Sequence, residues 1–153
     1  MLVHQLTKAR KALNSVSHYE GIDFAYAVFK NKQLIDNKLS EVDFIKNVSP
    51  QIVEYEEKRV QLCEEFAKKD SNGKSIIEND LYVIDNKEMF KIKMDDLLNE
   101  YKPFVEERQK QIEIFNNKMN EESKIEFVKI KKEQIPPQLK TADELDGISF
   151  MID

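Results

Sequence analysis

The chain has 153 residues, of which 41% are hydrophobic and 35% are charged, with only three glycines and four prolines. This length suits one ordinary domain, and the hydrophobic fraction is too high for a disordered chain. The net charge of −5 gives the whole chain no strong attraction to nucleic acid or anionic membranes, and its single cysteine excludes an intrachain disulfide.

Residues 1–48 contain two helical patterns. Hydrophobic residues at three- and four-residue steps predict a first helix over residues 2–15, formed around Leu2, Leu6, Ala9 and Leu13. Gly21 marks a break before the second pattern, which has a place to bend or restart at residues 37–40. The apolar face of this second helix is predicted to contain Ala25, Val28, either Leu34 or Ile35, Leu39, Val42 and Ile45.

Residues 49–122 are predicted to form a helical hairpin. Its first helix begins at Ser49, a favourable N-cap, and Pro50 occupies the first helical position. Arg59 interrupts the apolar stripe, so its guanidinium is expected to reach solvent or to pair with a carboxylate of the facing helix. The stripe itself consists of Ile52, Tyr55, Leu62 and Phe66.

The reversal between the two hairpin helices lies in residues 70–85. It opens with three turn residues, Asp70, Asn72 and Gly73. Asp and Asn tolerate tight turns, and Gly adopts a positive φ without steric cost. The β-capable runs 74–77 and 81–84 follow, and we expect them to pair as a small β-hairpin.

The second hairpin helix is predicted to follow Asp85 as its N-cap, with Glu88 completing a capping box. Pro103 removes one helical hydrogen bond, so the pattern predicts either one helix kinked near residues 99–103 or two helices that meet there. The stripe of this helix contains Phe90, Met94, Leu97 and Tyr101. We expect it to pack against Tyr55, Leu62 and Phe66 of the first hairpin helix.

Residues 123–153 are typical of a strand followed by a short helix. The run 124–131 is β-capable but does not alternate cleanly, which a bulge would explain. Thr141 and Glu144 form a capping box at the start of the helix. Because large apolar side chains near a chain end are unfavourable in water, the tail is expected to dock on its own body or on a partner. The candidate partner contacts are Ile148, Phe150, Met151 and Ile152.

These patterns together predict a mainly α protein with a minor β component, formed as one domain over residues 1–153. The expected architecture is an antiparallel helical hairpin or bundle. A small β-hairpin lies at the helix reversal, and the chain ends in a short strand and a short helix.

Recognisable catalytic and cofactor-binding patterns are absent from the sequence. His4 and His18 are too far apart to share one helix face as metal ligands. Adjacent carboxylates such as Asp95 and Asp96 fall on polar helix faces, whereas hydrolases need carboxylates held in a cleft. Cys63 lies in a helical pattern and is expected to be a small core residue. We therefore expect no catalytic residues, no metal site and no cofactor.

Several short segments, distributed over most of the chain, form a recognisable pattern: 24-FAYAVFKNK-32, 54-EYEEKR-59, 69-KDSNGK-74, 81-LYVIDN-86 and 135-IPPQL-139. This pattern resembles small proteins of unknown function encoded by tailed bacteriophages. In those proteins a helical hairpin reverses at an Asp-x-x-Gly turn, and the chain ends in a strand and a short helix. The resemblance implies a viral origin and a binding or assembly role, and it implies no catalytic residues.

We therefore expect a non-enzymatic phage protein that acts through protein–protein contacts, as a virion or assembly component or as a binder of a host protein. It is expected to form a homo-oligomer in the host cytoplasm or in the virion. No apolar run is long enough for a membrane span, and the basic stretches are too small for a typical nucleic-acid surface. Two alternatives stay open: a helical, chaperone-like clamp and a nucleic-acid-associated accessory protein.

Overall fold

The computed structural model describes residues 1–153 and confirms the expected mainly α fold with a small β element. The helices are α1 (Leu6–Val16), α2 (Ile22–Ser40), α3 (Pro50–Phe66), α4 (Lys87–Met119) and α5 (Ala142–Ile148). The strands are β1 (Ile77–Glu78) and β2 (Leu81–Tyr82), which pair in one antiparallel sheet. Short 3-10 turns cover Val3–Gln5, Asp43–Lys46, Lys132–Gln134 and Ser149–Met151.

The chain divides into two compact units. The terminal unit contains Met1–Ile45 and Ile114–Asp153, and the central unit contains Lys46–Glu113. Helix α4 contributes residues to both units.

The core of the terminal unit is formed by α1, α2 and the C-terminal segment. The predicted helix over residues 2–15 is a 3-10 turn followed by α1, and the stripe residues Leu6, Ala9 and Leu13 are buried. Segment 124–153 supplies the rest of this core, including the buried side chains of Ile130, Leu139, Ile148 and Met151.

The buried face of α2 agrees with the prediction at Val28 and Ile35, and Leu39 packs against the core, but it differs at Ala25. Ala25 is exposed, and Asn31 is completely buried although it is polar. The prediction placed Ala25 on the wrong side because α2 carries apolar residues on more than one side, and three- and four-residue steps fit both sides. The helix ends at Ser40, and the 3-10 turn Asp43–Lys46 follows. The buried residues of α2 are Phe24, Ala27, Val28, Asn31 and Ile35.

In the central unit, local signals set the helix ends. The Ser49 hydroxyl oxygen accepts a hydrogen bond from the backbone N–H of Ile52 at 3.3 Å, as the N-cap prediction requires. Helix α4 is capped by Asn86 rather than by Asp85, because the Asn86 carboxamide oxygen accepts from Met89 N–H at 3.0 Å. Of the two possibilities at Pro103, the structure has one continuous helix with the proline inside it.

The β-hairpin is shorter than the runs 74–77 and 81–84. Ile77 pairs with Tyr82 across a turn at Asn79 and Asp80, both of which have a positive φ, as type I′ hairpin turns require. The preceding backbone pairs elsewhere, since Ile76 N–H donates to the Lys68 carbonyl at 2.8 Å. The Ile76 carbonyl still accepts from the Val83 N–H at 3.0 Å, so Ile76 joins the segment after α3 to the run 81–84.

The predicted C-terminal strand over residues 124–131 does not form as a regular strand. Lys124 has a φ of +53°, and the segment makes a single parallel bridge, between Ile130 and Ile152. Regular pairing is prevented at Val128, because its backbone N–H and carbonyl are both bonded to the side chain of Asn31. The capping box of Thr141 and Glu144 is present at the start of α5, as predicted.

Candidate protein-binding surfaces

Helix α2 presents a ridge of large apolar side chains to solvent. Ile22, Tyr26 and Phe29 are 88%, 56% and 55% exposed, respectively. Their spacing of four and three residues places them on one side of the helix. We call these three residues the aromatic ridge.

The aromatic ridge lies on the side of α2 away from its buried face. Phe24, Val28 and Ile35 occupy the buried face, so the first half of α2 is apolar on two sides. A helix of this kind is normally buried all round, whereas a surface helix has one apolar stripe and a polar opposite face. Exposed aromatic residues clustered in this way are typical of an interaction surface.

Positive charges flank the aromatic ridge. The Lys30 ammonium lies 5.9 Å from the ring centroid of Tyr26 and 5.8 Å from that of Phe29. Farther along α2, Asp36 forms an ion pair at 2.7 Å with Arg10 of α1. This hydrogen bond holds the pKa of the Asp36 carboxyl below its usual value. Lys32 also acts on Asp36 electrostatically, in the same direction.

A small pocket adjoins the aromatic ridge. It has a volume of about 140 Å³ and is lined by residues that include Tyr19, Phe24, Phe29 and Lys32. The Tyr19 hydroxyl donates a hydrogen bond to the Glu144 carboxylate at 2.6 Å. That hydrogen bond raises the pKa of Tyr19 and lowers the pKa of Glu144. The pocket is large enough for one apolar side chain of a partner.

Helix α3 carries a second apolar surface, in the central unit. A shallow apolar surface, wide open to solvent, is formed along one side of α3 by Val48, Ile52, Val53, Val60, Glu56, Glu57 and Gln61. Val53 and Val60 are 48% and 40% exposed and lie seven residues apart, which is two helical turns. We call this surface the valine groove.

Negative charge accompanies the valine groove. Glu56 and Glu57 line it directly, and Glu56 accepts a hydrogen bond from Arg59 at 2.8 Å. Arg59 therefore pairs with a carboxylate of its own helix, rather than with one on the facing helix. The side chain of Arg59 is also 41% exposed.

The predicted hairpin-packing residues lie between α3 and α4. The rings of Tyr55 and Tyr101 are 5.8 Å apart, and those of Phe66 and Phe90 are 5.9 Å apart. Leu97 and Tyr101 are buried, whereas Leu62 and Met94 are half-buried.

An ion-pair network lies beside the buried Tyr101. The Lys58 ammonium donates to the Tyr101 hydroxyl at 2.7 Å and forms an ion pair with Glu54 at 3.0 Å. The hydrogen bond to Tyr101 and the pairing with Glu54 raise the pKa of Lys58. Glu54 has a lowered pKa because of its hydrogen bonds with Tyr101 and Lys58. Their hydrogen bonds with Tyr101 and with each other account for the raised pKa of Lys58 and the lowered pKa of Glu54.

The predicted turn residues hold the reversal after α3. The Asp70 carboxylate accepts hydrogen bonds from the backbone N–H groups of Asn72, at 2.8 Å, and Lys74, at 2.9 Å. Gly73 has a φ of +77° and donates its N–H to the Asp70 carbonyl at 3.0 Å. This geometry needs a residue that tolerates the left-handed region.

The four apolar tail residues are docked in the terminal unit. Ile148 and Met151 are fully buried, and the Phe150 ring lies 4.7 Å from the ring of Phe127. Ile152 bridges Ile130 through the backbone. The tail thus adopts the first of the two expected arrangements, docking on its own body. Buried side chains are not available to a partner, so Ile148 and Met151 are core residues rather than partner contacts.

The two histidines and the cysteine each have their own local surroundings. The His4 ring nitrogen Nδ1 lies 3.1 Å from the Met119 carbonyl, and the His18 ring packs at 4.1 Å from the ring of Tyr19. Cys63 is half-buried on α3. The structure contains no group of three or more His, Cys, Asp or Glu side chains arranged to hold a metal ion. None of its helices combines the length and apolar character needed to cross a membrane.

Comparison with models of known protein families, with curated protein sequences and with solved structures found no match.

The aromatic ridge and the valine groove were not predicted from the sequence. The spacing of Ile22, Tyr26 and Phe29 carries a helical signal, but it overlaps the pattern of the buried face. Val53 and Val60 could have been found as an apolar pair two turns apart and outside the predicted stripe of α3.

Proposed function

We propose that this chain is a non-enzymatic, phage-encoded protein that acts through protein–protein contacts made by the aromatic ridge. It works as a homo-oligomeric virion or assembly component, or as a binder of a host protein, in the host cytoplasm or in the virion. The observation that carries the proposal is the exposure of Ile22, Tyr26 and Phe29 on a helix whose opposite face is already buried.

The energetics of the aromatic ridge favour a partner. A large apolar side chain gains about 1.5–3 kcal/mol when it passes from water to a buried site. Aromatic side chains are enriched in protein interfaces, where a few of them supply most of the binding energy. The pocket beside Phe29 adds a place for one anchoring side chain of the partner.

The two other parts of the proposal have separate support. A phage origin is supported by the segment pattern that includes 69-KDSNGK-74 and 135-IPPQL-139. A binding role without catalysis is supported by the carboxylates of lowered pKa: Asp36, Glu54 and Glu144 each owe the shift to an identified hydrogen-bond partner. These partners also stabilise local structure, a sufficient role for each carboxylate.

The proposal can be tested with the variant Tyr26→Gln/Phe29→Gln, which removes both rings while keeping good helix formers. Wild-type and variant proteins are compared for self-association by light scattering and for capture of proteins from bacterial lysate. The matched control is Met89→Gln/Leu98→Gln, which removes two exposed apolar side chains from α4, 44% and 39% exposed. We expect the ridge variant to lose a protein contact that the control retains.

Identical behaviour of the wild type, the ridge variant and the control in both assays would overturn the proposal. A labelled single-stranded oligonucleotide, titrated against the same three proteins, examines the nucleic-acid alternative. Bases stack on exposed aromatic rings, and lysines attract the backbone, so Tyr26, Phe29 and Lys30 would be the binding residues. Oligonucleotide binding that depends on the ridge, without ridge-dependent protein contact, would assign the chain to that class instead.

A further inference from the structure

We propose that copies of this protein associate head to tail, with the aromatic ridge of one copy seated in the valine groove of the next. The inference rests on the proposed function, because it names a second copy of the chain as the occupant of both surfaces. It assigns different roles to two helices: α2 supplies the inserted face, and α3 supplies the receiving groove.

The dimensions of the two surfaces match. Ile22 and Phe29 are seven residues apart on α2, and Val53 and Val60 are seven residues apart on α3. At a rise of 1.5 Å per residue, each surface extends about 10 Å along its helix. Apolar side chains at i, i+4 and i+7 of one helix can therefore pack along the open apolar face of the other, as in helix–helix packing.

The charges select the pairing of unlike surfaces. Lys30 lies over the rings of the aromatic ridge, and Lys32 lines the adjoining pocket. Glu56 and Glu57 line the valine groove, and because Glu56 is paired with Arg59 of its own helix, Glu57 supplies the main negative charge there. A ridge against a ridge would bring lysines together, and a groove against a groove would bring glutamates together. Like charges in an interface are unfavourable, whereas a ridge in a groove pairs opposite charges.

Pairing unlike surfaces has a definite consequence for assembly. Each copy that uses its aromatic ridge still has a free valine groove, so the interface is heterologous and generates a ring or an open chain. A two-fold symmetric dimer, in which each ridge meets the groove of the partner, would instead close at two copies. The two arrangements therefore differ in whether the wild type grows beyond the dimer.

The experiment uses three full-length proteins and light scattering. The ridge variant is Tyr26→Gln/Phe29→Gln, the groove variant is Val53→Gln/Val60→Gln, and the control is Met89→Gln/Leu98→Gln. Wild type and control are expected to grow beyond the dimer as concentration rises. Each surface variant alone is expected to self-associate at least about tenfold more weakly, because its central apolar anchors are lost.

Mixing the ridge variant with the groove variant is the decisive step. Each has one intact surface, so the mixture is expected to form a 1:1 complex of twice the 18.0 kDa chain mass and to grow no further. A mixture that stays monomeric while the wild type associates would overturn head-to-tail pairing. A wild type that stays monomeric at all concentrations would also overturn it. The proposed function would survive either result if ridge-dependent capture of another protein were observed.

A charge exchange tests the same contact independently of the apolar residues. Lys30→Glu faces the acidic groove with a like charge and is expected to weaken association by about tenfold or more. Glu57→Lys in the same chain is expected to restore most of the loss, and raising the salt concentration should weaken the wild-type association. If Glu57→Lys deepens the loss, the two charges do not face each other and the proposed pairing is wrong.

Discussion

The side chain of Asn31 pairs with both backbone polar groups of Val128. Its amide nitrogen donates to the Val128 carbonyl at 2.9 Å, and its carbonyl oxygen accepts from the Val128 N–H at 2.8 Å. Asn31 is completely buried in α2, so these bonds form away from water. One side chain thereby supplies the pairing that a neighbouring strand would otherwise provide, and segment 124–131 is held without a sheet.

The first prediction concerns this pair. Asn31→Leu keeps the branching and the heavy-atom count of the side chain but leaves two backbone groups of Val128 without partners, and each such group costs about 1–3 kcal/mol. We expect the free energy of unfolding in urea to fall by about 2–4 kcal/mol. Gln33→Leu, at an exposed position of the same helix, is the control and should cost little. A loss for Asn31→Leu no greater than that of the control would contradict this account.

The second prediction concerns the close approach of α5 to α1. A Cβ atom added at Gly147 would lie 2.8 Å from the Cβ of Ala12. Gly147→Ala should therefore lower the free energy of unfolding by about 1–3 kcal/mol, since overpacking forces the helices apart. Ala12→Gly in the same chain removes the clashing atom. In a double-mutant cycle, Gly147→Ala should therefore lower the free energy of unfolding less in the Ala12→Gly background than in the wild type. Equal losses in the two backgrounds would argue against the contact.

The third prediction concerns the turn at Gly73. Its φ of +77° is strained for a β-branched residue, and no atom lies within 4 Å of an added Cβ. Gly73→Val is therefore expected to cost about 1–3 kcal/mol through backbone strain alone. Gly73→Asn is the matched control, because Asn tolerates the left-handed region and the space is open. Equal unfolding midpoints for the Val and Asn variants would show that the turn does not depend on this φ.

The fourth prediction compares two neighbouring leucines of α4. Leu97 is 7% exposed and Leu98 is 39% exposed. Leu97→Ala is expected to cost about 2–5 kcal/mol, because it removes a buried side chain and leaves a cavity in the central unit. Leu98→Ala should cost well under half as much. Chemical denaturation measures the free energy of unfolding of both variants. A larger decrease for Leu98→Ala than for Leu97→Ala would mean that the packing stripe is assigned to the wrong face.

The fifth prediction concerns pH. Hydrogen bonds from Tyr19 and Thr141 lower the pKa of Glu144 below the ordinary value of 4.5. The folded pKa is lower than the unfolded pKa, so Glu144 contributes stability above pH 4.5 and loses it as the pH falls through the folded value. Glu144→Gln should therefore make the melting temperature fall less steeply with acidification below this pH. Parallel melting curves for wild type and variant across the acid range would contradict the assignment.

The ends of several elements follow from the sequence because their causes are local. Ser49 with Pro50, and Thr141 with Glu144, start their helices through bonds that span only three or four residues. The turn at Asp70 and Gly73 is likewise closed by bonds within five residues. Such interactions depend on residue type and spacing, and these are read directly from the chain.

Other features depended on long-range packing, which spacing does not specify. Helix α2 has two apolar sides, and the contacts of α1 and segment 124–153 decided that Phe24 and Asn31 turn inward while Tyr26 and Phe29 face solvent. The tail could dock on its own chain or on a partner. It docks on its own chain, because Ile148 and Met151 are buried against α1 and α2. Segment 124–131 has strand-forming residues, but a buried amide 97 positions away took its hydrogen bonds. The physical reason is common to all three. The sequence shows that an apolar group needs burial or that a polar group needs a hydrogen-bond partner, but only the folded chain determines which neighbour meets that need.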